Sequence, residues 1–159
     1  MPTLVVVRHA KADRPIAVED FGRPLLPRGR EDAKAAGEWL AGAVGKPGLI
    51  VSSPARRTAE TVEGLISPYG TDVPPIVYEE SLYEASLGDM LRVVRGLDDD
   101  AGLTVLVGHN PSVSELVSEL TGQPTELRTT GIAVIEVPSA WADTPSSSCR
   151  LVRAETPRA

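Results

Sequence analysis

The chain has 159 residues, 42% of them hydrophobic and 24% charged, the proportions of an ordinary globular protein. Sixteen Lys and Arg against 22 Asp and Glu leave a formal charge of −6, which argues against a general nucleic-acid partner, since that needs a basic face. A single cysteine, Cys149, excludes an internal disulfide, and no apolar run approaches the roughly 20 residues of a membrane span.

The first apolar run, "TLVVV" (3–7), is too short for a signal peptide and predicts a buried strand. Residues 28–44 place Ala33, Ala36, Trp39, Leu40 and Ala43 at spacings of three and four and predict a helix. "GLIVSS" (48–53) predicts a second strand. A helix over 55–67 follows Pro54 and carries Ala59, Val62, Leu65 and Ile66. "PPIVYEES" (74–81) predicts a short strand, confined to an edge by its prolines. Residues 87–97 predict a helix, "LTVLVG" (103–108) a strand, and 112–121 a helix closed by Gly122. "GIAVIEV" (131–137) predicts a last strand. The Pro/Ser-rich tail from 138 reads as irregular. The alternation of strands and helices implies a single α/β domain over 1–159, a three-layer α/β/α sandwich on a mostly parallel sheet.

In such sheets ligands bind beyond the carboxyl ends of the strands. The first strand ends in Arg8-His9. The second ends in Ser52-Ser53-Pro54 and leads to Arg56-Arg57. The third ends in Gly108-His109-Asn110-Pro111. The chain's two histidines thus both fall at strand tips, one beside Arg8, with the Arg56-Arg57 pair after another strand. A metal site is disfavoured, because arginines repel a divalent cation and no pair of histidines or cysteines has ligand spacing. An anion site fits better, since guanidinium forks match phosphate oxygens. Helices starting after Pro54 and Pro111 would add backbone N–H groups.

Three blocks carry a resemblance. "LVVVRHAKA" resembles the Arg-His-Gly/Ala signature of the histidine phosphatase superfamily, also called phosphoglycerate mutase-like. "SSPARRTAET" resembles its Ser-Pro-x-x-Arg-x-x-x-Thr block, and "VLVGHNPSV" the block with its second histidine. The Arg-His-Ala-Lys and Gly-His-Asn-Pro forms, "DFGRPLLPRG" (20–29) and the short chain look like the SixA-type phosphohistidine phosphatase branch.

The resemblance implies a hydrolase without metal or cofactor. His9 would be the phosphorylated nucleophile, with Arg8, Arg57 and His109 holding phosphate oxygens and the Asn110 backbone N–H contributing. Arg57, not Arg56, lies four residues after Ser53, as the block requires. Glu84, in Leu82-Tyr83-Glu84, matches the context of the family's proton donor. A phosphorylated imidazole leaves readily, however, so such an enzyme can do without a strong acid and Glu84 can be incidental. Arg23 either frames the pocket or pairs with Asp20. Lys11 either adds positive potential or is solvated. The expected substrate is phosphohistidine in a protein, or a small phosphorylated molecule. The rivals are a small-molecule phosphomonoesterase, a phosphoglycerate mutase and a non-catalytic phosphate-binding module. A cytoplasmic monomer acting away from nucleic acid and membrane is expected.

Overall fold

The computed structural model describes residues 2–158. Six strands form one sheet: β1 (Thr3–Arg8), β2 (Leu49–Ser52), β3 (Ile76–Tyr78), β4 (Leu103–Gly108), β5 (Ile132–Glu136) and β6 (Arg150–Glu155), in the spatial order β3-β2-β4-β1-β5-β6. The strands β1, β2, β3 and β4 run parallel, and β5 runs against both β1 and β6. Four α-helices flank the sheet: α1 (Pro27–Ala43), α2 (Arg56–Leu65), α3 (Leu87–Arg95) and α4 (Ser112–Thr121).

The continuous apolar runs are explained by burial on both faces. Val5 and Val7 of β1 pack with Ile50, Val105 and Val107 beneath α1 and α2, through Ala36, Leu40, Val62 and Leu65. Leu4 and Val6 point the other way and join Leu106, Met90, Leu116 and Leu120 beneath α3 and α4. Successive strand side chains alternate between faces, so a strand covered twice must be apolar at every position.

The small residues of α1 serve helix-to-helix contact. A Cβ on Gly37 would stand 2.6 Å from the Gly64 carbonyl oxygen, and one on Gly64 would stand 2.5 Å from Cβ of Ala33. The α1 and α2 backbones therefore touch, which fixes the helix that carries Arg57. Ala43, expected on the buried face of α1, is exposed at its end.

One expectation is corrected. The segment from 138 holds a 3₁₀ turn at Trp141–Asp143 and the strand β6. β6 pairs with β5 across a bulge between Val134 and Ile135. Its side chains are mostly exposed, so "RLVRAE" lacks an apolar signature, whereas Trp141 is fully buried and anchors the connection. Among the described residues no helix is long and apolar enough to cross a membrane.

Candidate active site

The parallel pairing sets the site. Arg8 of β1 stands opposite Gly108 of β4, and Ser52 of β2 opposite Val107. Three strand tips thus end side by side, and the residues just beyond them, His9, Ser53 and His109, meet in one place. Between them and the α2 residue Arg57 lies a cavity of about 570 Å³.

His9 is 9% exposed, and its Nδ1 lies 2.7 Å from the Ala10 carbonyl oxygen. A carbonyl only accepts, so Nδ1 carries the proton and Nε2 keeps its lone pair. Burial lowers the His9 pKa to about 4; the Ala10 bond opposes this, and the charges of Arg57, Arg8 and Arg23 lower it further. The ring is therefore neutral near pH 7, with the Nε2 lone pair free. Its backbone is held from several sides. His9 N donates to Gly108 O at 3.1 Å, and Thr130 N donates to both Arg8 O and His9 O at 3.1 Å. The Ala10 N–H donates to Thr61 Oγ1 at 3.0 Å.

His109 faces His9, with ring centroids 5.4 Å apart. Its Nε2 is 2.8 Å from Ser53 Oγ, while its Nδ1 is buried without a partner among the described residues. Burial, followed by the Arg57 charge, lowers its pKa to about 3. Both imidazoles are thus neutral and set among cations.

Both arginines are fastened to main-chain oxygens. Arg8 Nη1 donates to Leu127 O at 3.1 Å, and Arg57 Nη1 donates to Asp20 O at 2.8 Å. The Nε of each is buried without a partner among the described residues. Arg8 is held through Nη1 alone, whereas Arg57 is held through Nη1 and, at 3.1 Å from Asp20 Oδ2, through Nη2 as well; the unpartnered N–H groups that remain suit an oxyanion. Arg56, one residue away, is exposed and pairs with Glu60 at 3.0 Å. The helical turn separates the two: Arg57 faces inward and Arg56 outward.

Lys11, Arg14 and Arg23 also line the cavity, so five cationic side chains and the single carboxylate of Asp20 surround it, within a chain of net charge −6. This local reversal of sign suits a compact, highly charged anion. Among the described residues no cluster of three or more His, Cys, Asp or Glu could hold a metal.

Asn110 lines the cavity, and its side-chain amide, which is not the backbone N–H expected to contribute, is occupied elsewhere. Its Nδ2 donates to Leu127 O at 2.9 Å, and its Oδ1 accepts from Ser114 Oγ at 2.6 Å. Glu84 is not brought to the site. It is exposed, outside the cavity lining, with φ of 55°. That left-handed turn sends the chain into Ser86 and Asp89, which cap α3 reciprocally. Its neighbour Tyr83 turns inward instead. The Tyr83 ring packs edge-on against His109 at 5.7 Å and Phe21 at 5.1 Å, and its hydroxyl donates to Asp20 Oδ2 at 2.7 Å.

Some contributors had no role in the sequence reading. Thr61 was visible as the last letter of "SPARRTAET", yet only the fold shows that it ties Ala10 to Arg57 O, at 2.7 Å. Thr129 and Leu127, from the segment before β5, carry no local signal.

The profile of the histidine phosphatase superfamily (branch 1) matches residues 4–95, more than half of the chain. The chain belongs to that superfamily, whose members share this phosphatase fold. Within it the chain takes the SixA-type form. A candidate phosphohistidine phosphatase SixA from Nakamurella multipartitia is 28% identical, with a TM-score of 0.86 over 99% of this chain and 97% of that one. A second, from Agrobacterium tumefaciens, is 25% identical, with a TM-score of 0.84 over 99% of both chains. In sequence, an uncharacterized protein of Mycobacterium tuberculosis is 31% identical over 96% of this chain and 100% of its own length.

Proposed function

We propose that this protein is a metal-independent phosphatase that works through phospho-His9 and removes phosphate from phosphohistidine in proteins. The observation that carries the choice of substrate is the state of the one carboxylate in the cavity lining. Asp20 is pulled down to about pKa 2, first by the Tyr83 hydroxyl and then by Arg23 and Arg57. It is a carboxylate throughout the working pH range and has no proton to give. An alkyl phosphate needs an acid to protonate its leaving oxygen. A phosphorylated imidazole with a protonated ring leaves as a neutral base and needs none.

In the first step the lone pair of His9 Nε2 forms a bond to phosphorus while the P–N bond of the substrate breaks, its electrons returning to the departing imidazole. In the second, water attacks phosphorus, the P–Nε2 bond breaks, and phosphate leaves with the protons of the water shared between phosphate and solvent. Donor and acceptor in the first step are both imidazoles, so the transfer is close to balanced. Arg8, Arg57 and His109 hold the non-transferred oxygens through both steps.

A protein substrate is supported by the rim. Between the cavity-lining residues Arg14 and Asp20 the chain exposes Ile16 by 98% and Val18 by 42%, and Phe21 follows at 46%. These apolar side chains beside the cationic mouth offer contact to a folded partner.

The test compares turnover of a phosphohistidine peptide with that of an alkyl phosphate such as glycerol phosphate, in EDTA. Hydrolysis of the peptide at least a hundredfold faster is expected, and its loss in His9→Ala. Equal turnover of the two substrates, activity abolished by EDTA, or an active His9→Ala protein would each sink the reading. Phosphopeptide binding without turnover would favour a silent binding module.

A further inference from the structure

Asp20 reaches both rim and floor of the cavity. Its Oδ2 accepts from Arg57 Nη2 at 3.1 Å and from the Tyr83 hydroxyl at 2.7 Å, and its Oδ1 accepts from Arg23 Nη1 at 3.2 Å. Its main-chain oxygen accepts from Arg57 Nη1. The Asp20 side chain is 52% exposed, whereas that of Arg57 is 8% exposed. A half-exposed anion is thereby directed at a buried cation that the phosphate reading also needs. Tyr83 keeps it there, its own ring wedged between Phe21 and His109.

A pocket of five cations and one anion faces a difficulty that its charge creates. It attracts phosphorylated substrate, but it also attracts the inorganic phosphate that it produces. We propose that Asp20 is a built-in counter-anion: it positions Arg57 and, by sharing Arg57 and Arg23 with bound phosphate, loosens the product enough for release. This rests on the phosphate-site reading above. The arrangement separates the two tasks chemically. Orientation of Arg57 uses the main-chain oxygen as well as the carboxylate, and so survives loss of the charge. Repulsion of phosphate uses the charge alone. For any two unit charges about 7 Å apart, at an effective dielectric between about 20 and 80, the interaction alters an affinity by roughly three- to fiftyfold.

The experiment measures inorganic phosphate binding by calorimetry on the intact protein, independent of turnover, together with kcat on a phosphohistidine peptide. Asp20→Asn keeps the shape and an acceptor oxygen. It is expected to bind phosphate about tenfold more tightly and to show a lower kcat, with KM unchanged or lower. Asp20→Glu keeps the charge and is expected to stay within threefold of the parent. Tyr83→Phe frees the carboxylate and should give a smaller shift in the direction of Asp20→Asn. Binding by the parent protein with no tightening in Asp20→Asn overturns the counter-anion role alone. Equal tightening in Asp20→Glu overturns it too, because the effect would then follow geometry rather than charge. Absence of phosphate binding in both the parent and Asp20→Asn overturns the phosphate-site reading itself.

Discussion

The Thr61 hydroxyl accepts the N–H of Ala10 at 3.0 Å and donates to the carbonyl of Arg57 at 2.7 Å, so a single side chain joins the loop that carries His9 to the helix that carries Arg57. Ala10 is fully buried, and its carbonyl is the partner of His9 Nδ1. Thr61→Val keeps the volume and leaves the Ala10 N–H without an acceptor, which costs about 1–3 kcal/mol. A lower urea midpoint and a lower kcat are expected, with both largely restored in Thr61→Ser. An unchanged midpoint in Thr61→Val would show that the bond contributes little.

Neighbouring arginines should respond very differently. Arg57→Lys removes a planar fork fastened at Asp20 and is expected to lower kcat/KM by about a hundredfold or more, as loss of a transition-state donor does. Arg56→Ala breaks only an exposed pair with Glu60, worth about 0.5 kcal/mol or less, and should leave kcat/KM within threefold. Steady-state kinetics on the two variants decides whether the count from Ser53 identifies the functional residue.

Acid should weaken the fold before it silences the nucleophile. The folded-state values of His9 and His109, about 4 and 3, lie below the 6.5 of a free imidazole. Between those limits the unfolded chain binds more protons than the folded one, so stability rises with pH in that window and is lost as pH falls from about 6.5. Thermal melts between pH 7.5 and 5, a range in which the two histidines are the main titrating side chains, should show a falling Tm. The acid limb of kcat/KM should lie near pH 4 rather than 6.5. A flat Tm across that range would contradict the burial argument.

Glu84 provides a control. It is exposed, away from the cavity, and holds φ of 55°. Glu84→Gln should change kcat/KM by less than twofold. Glu84→Gly should raise stability by up to about 1 kcal/mol, since glycine adopts that turn without a Cβ penalty. A tenfold loss of turnover in Glu84→Gln would restore it as a proton donor.

The strands were legible because burial on both faces leaves an unbroken apolar signature, as in "LVVV" and "VLV". The meeting of Arg8, His9, Arg57 and His109 was legible because polar residues at the tips of parallel strands have only one edge to share. β6 was not, since an exposed edge strand such as "RLVRAE" need not be apolar. Nor was the choice between Tyr83 and Glu84. Adjacent residues part there at a left-handed φ, and that φ at Glu84 lies in a residue that gives no glycine-like warning. Asp20 and Arg23 were visible as a block. That the carboxylate reaches Arg57 depends on a contact across 37 positions, which no local pattern encodes.

The reversal of β5 divides the mouth of the site between two kinds of chain. Parallel strands deliver their ends there, and those ends carry His9, Ser53 and His109. The reversed strand delivers its beginning, so the approach to it places Thr129 in the facing wall, with Leu127 and Thr130 buried behind it. One wall is bound to the chemistry and cannot vary without cost to it. The other supports Arg8 and His9 largely through backbone atoms, namely Leu127 O and Thr130 N. Leu127 and Thr130 are buried, so on that side Thr129 is the side chain that meets the cavity, and a change there can alter what the mouth admits without touching His9, Arg57 or His109.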